Sequence, residues 1–188
     1  MIKLTSFISV SADGYFTDAN NDMSWAHGAP TDSEWNAFVQ ENAKGGGALM
    51  FGRVTFELMA KFWSTPIAAQ MNPVVAERMN AMPKYVPSRT LSEPTWANTT
   101  ILKGDLLEEV CRLKVEAEDD ICILGSGSLV SQLGSAGLID EFQIVVIPIV
   151  LGAGKGPFEG VKERFGLKLL ESRCFQNGNV FLRYDQIR

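Results

Sequence analysis

Residues Ile121-Cys122-Ile123-Leu124-Gly125-Ser126-Gly127-Ser128-Leu129-Val130 constrain the fold more than any other stretch of this 188-residue chain. Four apolar residues suit a buried strand, and the Gly-Ser-Gly-Ser break before the apolar pattern resumes reads as a tight turn into a helix. A helix leaves its first N–H groups without intrahelical partners, and glycines ahead of it let a ligand approach them, an arrangement that suits phosphate. Glycine turns between strand and helix are also ordinary architecture in α/β proteins, so this stretch alone leaves both roles open.

The same strand, turn, helix pattern recurs along the chain. Ile2 to Val10 reads as a strand ending in the turn Ser11-Ala12-Asp13-Gly14, and Thr17 to Pro30, with little periodicity, as a long loop carrying Trp25. Thr31-Asp32-Ser33-Glu34 reads as a capping box with Thr31 at N-cap and Glu34 at N3, opening a helix whose Trp35, Phe38 and Val39 share a face and which Gly45-Gly46-Gly47 ends. Ala48 to Phe51 is a short buried-type strand that Gly52-Arg53-Val54-Thr55-Phe56-Glu57 turns into a helix reaching about Trp63. Asn72-Pro73 opens the next helix, Pro83 bounds it, and the strand Lys84-Tyr85-Val86 leads to Ser88-Arg89. Thr99 to Leu102 is a strand, followed by a helix capped at Asp105 with Leu106, Leu107, Val110 and Leu113 toward the core. Phe142 to Leu151 is a nearly continuous apolar strand, and Leu167 to Phe175 and Val180 to Tyr184 form a hairpin through Asn177-Gly178-Asn179. Strands alternating with helices and then strands alone predict one three-layer αβα domain over residues 1–188, its central sheet mostly parallel with an antiparallel C-terminal edge. Ligands bind beyond the carboxyl ends of strands in such sheets, where both glycine turns fall.

Composition narrows the function. Seventeen Lys and Arg against 22 Asp and Glu give a net charge of −5, with the cations scattered, so nucleic acid is not an expected partner. No apolar run approaches the ~18–20 residues that span a bilayer, and the N-terminus enters strand-like sequence without the segments of an export signal, so no membrane partner and a cytoplasmic location are expected. The three cysteines show no Cys-x-x-Cys spacing and His27 is the lone histidine, so a metal site and a histidine-dependent triad are poorly supported. His27 reads as a solvated loop residue.

Taken together, Gly52-Arg53-x-Thr55-Phe56-Glu57, Ser88-Arg89, Gly125-Ser126-Gly127-Ser128-Leu129 and Asp140-Glu141 followed by Pro148-Ile149-Val150-Leu151-Gly152-Ala153-Gly154 resemble the dihydrofolate reductase-like superfamily. The closer resemblance is to the riboflavin-biosynthesis reductase family, the RibD C-terminal type, whose early Asp-Gly signature Ser11-Ala12-Asp13-Gly14-Tyr15 matches. The resemblance implies a homodimeric NADPH-dependent reductase, with the Gly-Arg-x-Thr turn and the strand-end Ser-Arg holding the adenosine half of the cofactor. Arg53 and Arg89 would then neutralise a 2′-phosphate to which Thr55 and Ser88 donate, and Gly125 to Leu129 would hold the pyrophosphate by backbone N–H groups. As ordinary alternatives, both arginines are surface cations. Asp140-Glu141 reads as a strand-start feature.

Reduction of a C=N or C=O also needs a proton source. Glu34, four residues before Phe38, matches the position of the dihydrofolate reductase carboxylate and is equally a capping-box residue, while Asp13 is an acid candidate and equally a turn-former. Trp25 and Phe56 are candidates for flat surface against a heterocycle or for core. Lys155, in Gly152-Ala153-Gly154-Lys155-Gly156, is a candidate for a substrate phosphate on a mobile loop, or part of a plain connector. The expected substrate is a pterin- or aminopyrimidine-like small molecule. A nucleotide-binding module without catalysis and a reductase of unrelated carbonyl or xenobiotic compounds are the alternatives.

Overall fold

The computed structural model describes residues 1–27, 32–44 and 47–187. An eight-stranded sheet runs in the order β5-β4-β3-β6-β1-β7-β10-β9, with β1 at Leu4–Ser11, β3 at Ala48–Met50, β4 at Lys84–Pro87, β5 at Thr99–Leu102, β6 at Ile121–Leu124, β7 at Glu141–Ile147, β9 at Gly166–Cys174 and β10 at Val180–Ile187. The first six in that order are mutually parallel, and β10 and β9 join antiparallel at one edge. This is the α/β architecture expected from the sequence. A separate two-stranded ribbon pairs β2 (Thr17–Asp18) with β8 (Gly154–Lys155), so Lys155 belongs to a paired segment instead of the expected free loop.

Helices α1 (Ser33–Lys44), α2 (Arg53–Trp63), α3 (Pro66–Met71), α4 (Pro73–Ala81), α5 (Leu106–Glu116) and α6 (Gly127–Ser135) fill the crossovers. Burial follows the pleat, in which neighbouring side chains point to opposite faces. Leu49 packs with Phe51, Phe56, Val75, Met79 and Trp96, whereas Met50 packs with Val110, Leu113, Ile123, Leu129 and Phe142. A smaller cluster sets Trp35 and Phe38 of α1 against Phe175 and Phe181.

Several local expectations are corrected by competing hydrogen bonds. Thr31 lies outside the described residues, and the cap of α1 is Asp32, whose carboxylate accepts from Glu34 N (2.9 Å) and Trp35 N (3.1 Å). The same carboxylate accepts from Asn177 N at 3.0 Å, tying the helix to the β9–β10 turn. Burial works against its charge, but the N–H groups of Trp35, Asn177 and Glu34 outweigh it and hold the Asp32 carboxyl below its ordinary range. Gly45 and Gly46 of the expected helix stop also lie outside the described residues. Helix α3 was not anticipated, although Thr65-Pro66 signals it: the Thr65 side chain accepts from Ala68 N and proline takes the first helical position. The strand expected to run from Phe142 to Leu151 ends at Ile147, just before Pro148, and Leu107 faces solvent instead of the core. The loop around Trp25 contains β2 and a 3₁₀ turn over Ser24–His27. Among the described residues no helix is long and apolar enough to cross a membrane, and no cluster of metal-ligating side chains occurs.

Candidate functional site

Strands β3 and β6 are hydrogen-bonded neighbours in register, Met50 opposite Ile123, so the two glycine turns that follow them emerge side by side. Gly52 precedes α2, and Gly125-Ser126 precedes α6 with both residues left-handed, at φ 64° and 62°. The Ser126 hydroxyl accepts from Gly52 N at 2.6 Å and donates to Thr55 Oγ1 at 3.0 Å. Beside them β4 and β5 end together, Pro87 opposite Leu102. These ends border a cleft of about 440 Å³. Its apolar wall is Pro87, Leu102, Leu106 and Leu129, and its polar rim includes Arg53, Ser88, Arg89 and Ser128.

Six expected cofactor residues, Gly52, Arg53, Ser88, Arg89, Ser128 and Leu129, therefore meet in one place. Their electrostatics differ. One guanidinium nitrogen of Arg53 lies 3.0 Å from both oxygens of Glu57, one helical turn on, and so is partly neutralised. Arg89 is exposed and has no partner among the described residues, so its charge is available to a ligand. The Ser88 hydroxyl oxygen accepts from Leu91 N at 3.0 Å and Thr90 N at 3.3 Å, an arrangement that holds the turn after β4. Helix α6 adds its N-terminus, where the first N–H groups receive no side-chain cap from Ser126 and Ser128 lines the cleft while Gly127 does not.

Thr55 does not meet the expectation of a phosphate ligand: it is buried, its hydroxyl engages Ser126, and its methyl carbon would lie 3.4 Å from a Cβ at Gly125. Phe56 is likewise corrected from ligand platform to core, fully buried and packed against Phe51 and Trp96. A Cβ at Gly127 would meet the Pro157 backbone at 3.4 Å and Gly156 O at 3.5 Å, and one at Gly125 the Phe16 ring at 3.4 Å. The 156–157 segment and Phe16 thus flank the turn without lining the cleft.

The two acid candidates are both engaged. Asp13 accepts from the Ser11 hydroxyl at 2.6 Å, from Gly152 N at 2.8 Å and from Leu151 N at 3.1 Å, which pins the segment entering β8. The Ser11 hydroxyl leads in holding its carboxyl below the ordinary range, and with the Gly152 and Leu151 N–H groups it outweighs burial, so Asp13 is a poor proton donor near neutrality. Glu34 sits 2.8 Å from the Arg173 guanidinium, which also lies 4.8 Å from the Phe175 ring centre. Its expected capping-box bond to the Thr31 backbone lies outside the described residues, and its side chain joins α1 to β9 through Arg173. Trp25 is half-buried in the 3₁₀ turn, its indole N–H donating to Asp22 O at 3.1 Å, and neither it nor Lys155 lines the cleft. The cleft residues missed from sequence, Pro87, Leu102, Gly104, Asp105, Leu106 and Gln132, cluster at and just beyond the ends of β4 and β5 and on α6. Pro87 and Leu102 were detectable by the rule that ligands bind at strand carboxyl ends.

The family model of the RibD C-terminal domain matches residues 2–181. The chain belongs to the RibD C-terminal domain family. A Bacillus subtilis (strain 168) relative, the uncharacterized protein YyaP, is 32% identical over 182 residues, 94% of this chain and 91% of that protein. Among solved structures, a putative riboflavin biosynthesis protein from Shewanella sp. PV-4 superposes with a TM-score of 0.78 at 21% identity, covering both chains fully. The Thermotoga maritima diaminohydroxyphosphoribosylaminopyrimidine deaminase/5-amino-6-(5-phosphoribosylamino)uracil reductase gives 0.68 at 13% identity, over 99% of this chain and 57% of that one. RibD C-terminal membership places the chain in a family of reductases, and the likeness to the solved structures is one of fold.

Proposed function

We propose that this RibD C-terminal chain is an NADPH-dependent reductase of a pterin- or aminopyrimidine-like heterocycle. The observation that carries the reading is the cleft beyond β3, β4 and β6, where Arg89, without a partner among the described residues, Arg53 and the strand-end Ser88 rim an apolar slot beside a helix N-terminus. The donor set fits the group. Arg89, Arg53 and Ser88 suit a 2′-phosphate, the wall of Pro87, Leu102, Leu106 and Leu129 suits a flat purine, and the first N–H groups of α6 suit a pyrophosphate. The bound dinucleotide supplies a hydride, and the protein supplies its binding and orientation.

Both candidate acids are held by other groups, Asp13 by Ser11, Leu151 and Gly152, and Glu34 by Arg173. The proton for the reduced heteroatom is therefore assigned to water. Steady-state oxidation of NADPH, followed at 340 nm with dihydrofolate and with a ribosylaminopyrimidine, tests the reading. It predicts turnover with one of them, and Glu34→Gln keeping that rate within about twofold. No oxidation with either substrate, together with no change in melting temperature on adding NADPH, would refute it. The homodimer implied by the family resemblance is part of the same proposal, and sedimentation at micromolar concentration checks it against a monomer of 20.6 kDa.

A further inference from the structure

We propose that Ser126 is a positioning residue that sets the width of the nucleotide cleft by clamping its two halves together. The proposal rests on the NADPH reading of that cleft and adds what holds it open in the right shape. One half is carried by α2 after β3 and the other by α6 after β6, and strand pairing sets their spacing only as far as Met50 and Ile123, so the turns beyond need a contact of their own. The Ser126 hydroxyl bridges them directly, accepting Gly52 N at 2.6 Å across 74 residues of sequence and donating to Thr55 Oγ1 at 3.0 Å on the same helix as Arg53.

Three further observations point to a purpose-built contact. Ser126 is buried, with a left-handed backbone at φ 62°, a conformation that costs a residue with a Cβ and persists only where its surroundings impose it. Gly52 has an ordinary extended backbone at φ −70° and ψ 156°, so glycine is not required there by conformation. It is required by space, because a Cβ at Gly52 would stand 2.6 Å from Ser126 Oγ. The next residue after each partner carries the ligand-facing groups: Arg53 follows Gly52, and the N–H groups that open α6 follow Ser126. Loosening the clamp would move the phosphate-facing arginine relative to the helix N-terminus without removing a group that touches the ligand.

Two substitutions break the clamp from opposite sides. Ser126→Gly keeps the left-handed backbone at no steric cost and deletes the hydroxyl, whereas Gly52→Ala drives a methyl group into that hydroxyl and leaves it chemically intact. Each is read by calorimetric titration with NADPH at a temperature well below its own melting transition, beside the wild-type protein. Both are expected to bind about tenfold more weakly, the equivalent of one misdirected hydrogen bond, while remaining folded at that temperature.

Wild-type affinity in a folded Ser126→Gly or Gly52→Ala protein would overturn the proposal. If either variant fails to fold, amide exchange of Gly52 in the wild-type protein decides: slow exchange supports the clamp, and exchange at the rate of an exposed loop overturns it. Absence of NADPH binding by the wild-type protein would instead remove the cofactor reading, and this inference with it, which separates the two failures.

Discussion

Lys84 offers a quantitative test of the packing. Its side chain is fully buried at the start of β4, its ammonium donates to Met82 O at 2.8 Å and to Asn80 O and Ala97 O at 3.2 Å, and it stands 4.5 Å from the Trp96 ring centre. Burial pushes its pKa down to about 8 from 10.5. The carbonyls and the indole face favour the charged form and act against that shift. Below pH ~8 the amine is protonated in both the folded and the unfolded chain, and folding bears the cost of desolvating it. Between pH 8 and 10.5 the unfolded chain binds more protons than the folded one, so the contribution of Lys84 to stability rises with pH across that window. At about 1.36 kcal/mol per pH unit the full rise is at most about 3.4 kcal/mol. Lys84→Met removes the titration. Urea unfolding of both proteins from pH 7.5 to 10.5 gives a difference curve in which the other titrating groups cancel. The wild type should gain on the variant by about 2–3 kcal/mol over that range. A flat difference would refute the reasoning by showing that the carbonyls and Trp96 hold the amine fully charged.

Arg89→Ala should weaken NADPH binding by about 10–100-fold and leave NADH nearly unchanged in titration, since it removes a charge, without a partner among the described residues, that only the 2′-phosphate uses. Glu57→Gln should tighten NADPH binding by releasing Arg53, and weaker binding would contradict the pairing at 3.0 Å. Phe56→Ala should cost about 3–5 kcal/mol in urea unfolding as a core deletion, and a loss under 1 kcal/mol would return Phe56 to the ligand. Because the Asp13 carboxyl is held below its ordinary range, its contribution is present above the usual carboxylate pKa and lost as pH falls below it. The pH–rate profile between 6 and 8 should therefore carry no step that Asp13→Asn abolishes.

The fold was legible wherever one period or one turn signal dominated. The apolar run before Gly125, the Pro-bounded α4 and the Asn177-Gly178-Asn179 hairpin each have a local cause that the tertiary structure does not override. The cleft was legible in half, because Gly52, Arg53, Ser88, Arg89, Ser128 and Leu129 follow strand ends that the alternating pattern makes neighbours. The burial of Thr55, and which of its two roles Phe56 takes, were hidden for a rotational reason. Both residues sit within one turn of Arg53 on α2, and sequence spacing places them near the ligand without saying that their side of the helix faces inward. The two roles that the sequence leaves open for Glu34 and Asp13 could not be separated there, because Arg173 and the Leu151–Gly152 amides that engage them lie about 140 residues away. The Asp32 cap shows the same limit at short range: Thr31 and Asp32 are both good capping residues, and the additional Asn177 contact is visible only in the folded chain.

The central claim, that the cleft between the turns after β3, β4 and β6 is an NADPH site, is tested most directly by amide hydrogen exchange with and without saturating NADPH. The account predicts slowed exchange in the segments around Gly52–Arg53, Ser88–Leu91 and Gly127–Leu129, with NADH protecting Ser88–Leu91 less. Protection confined to the β9–β10 edge, or none at saturation, would contradict it.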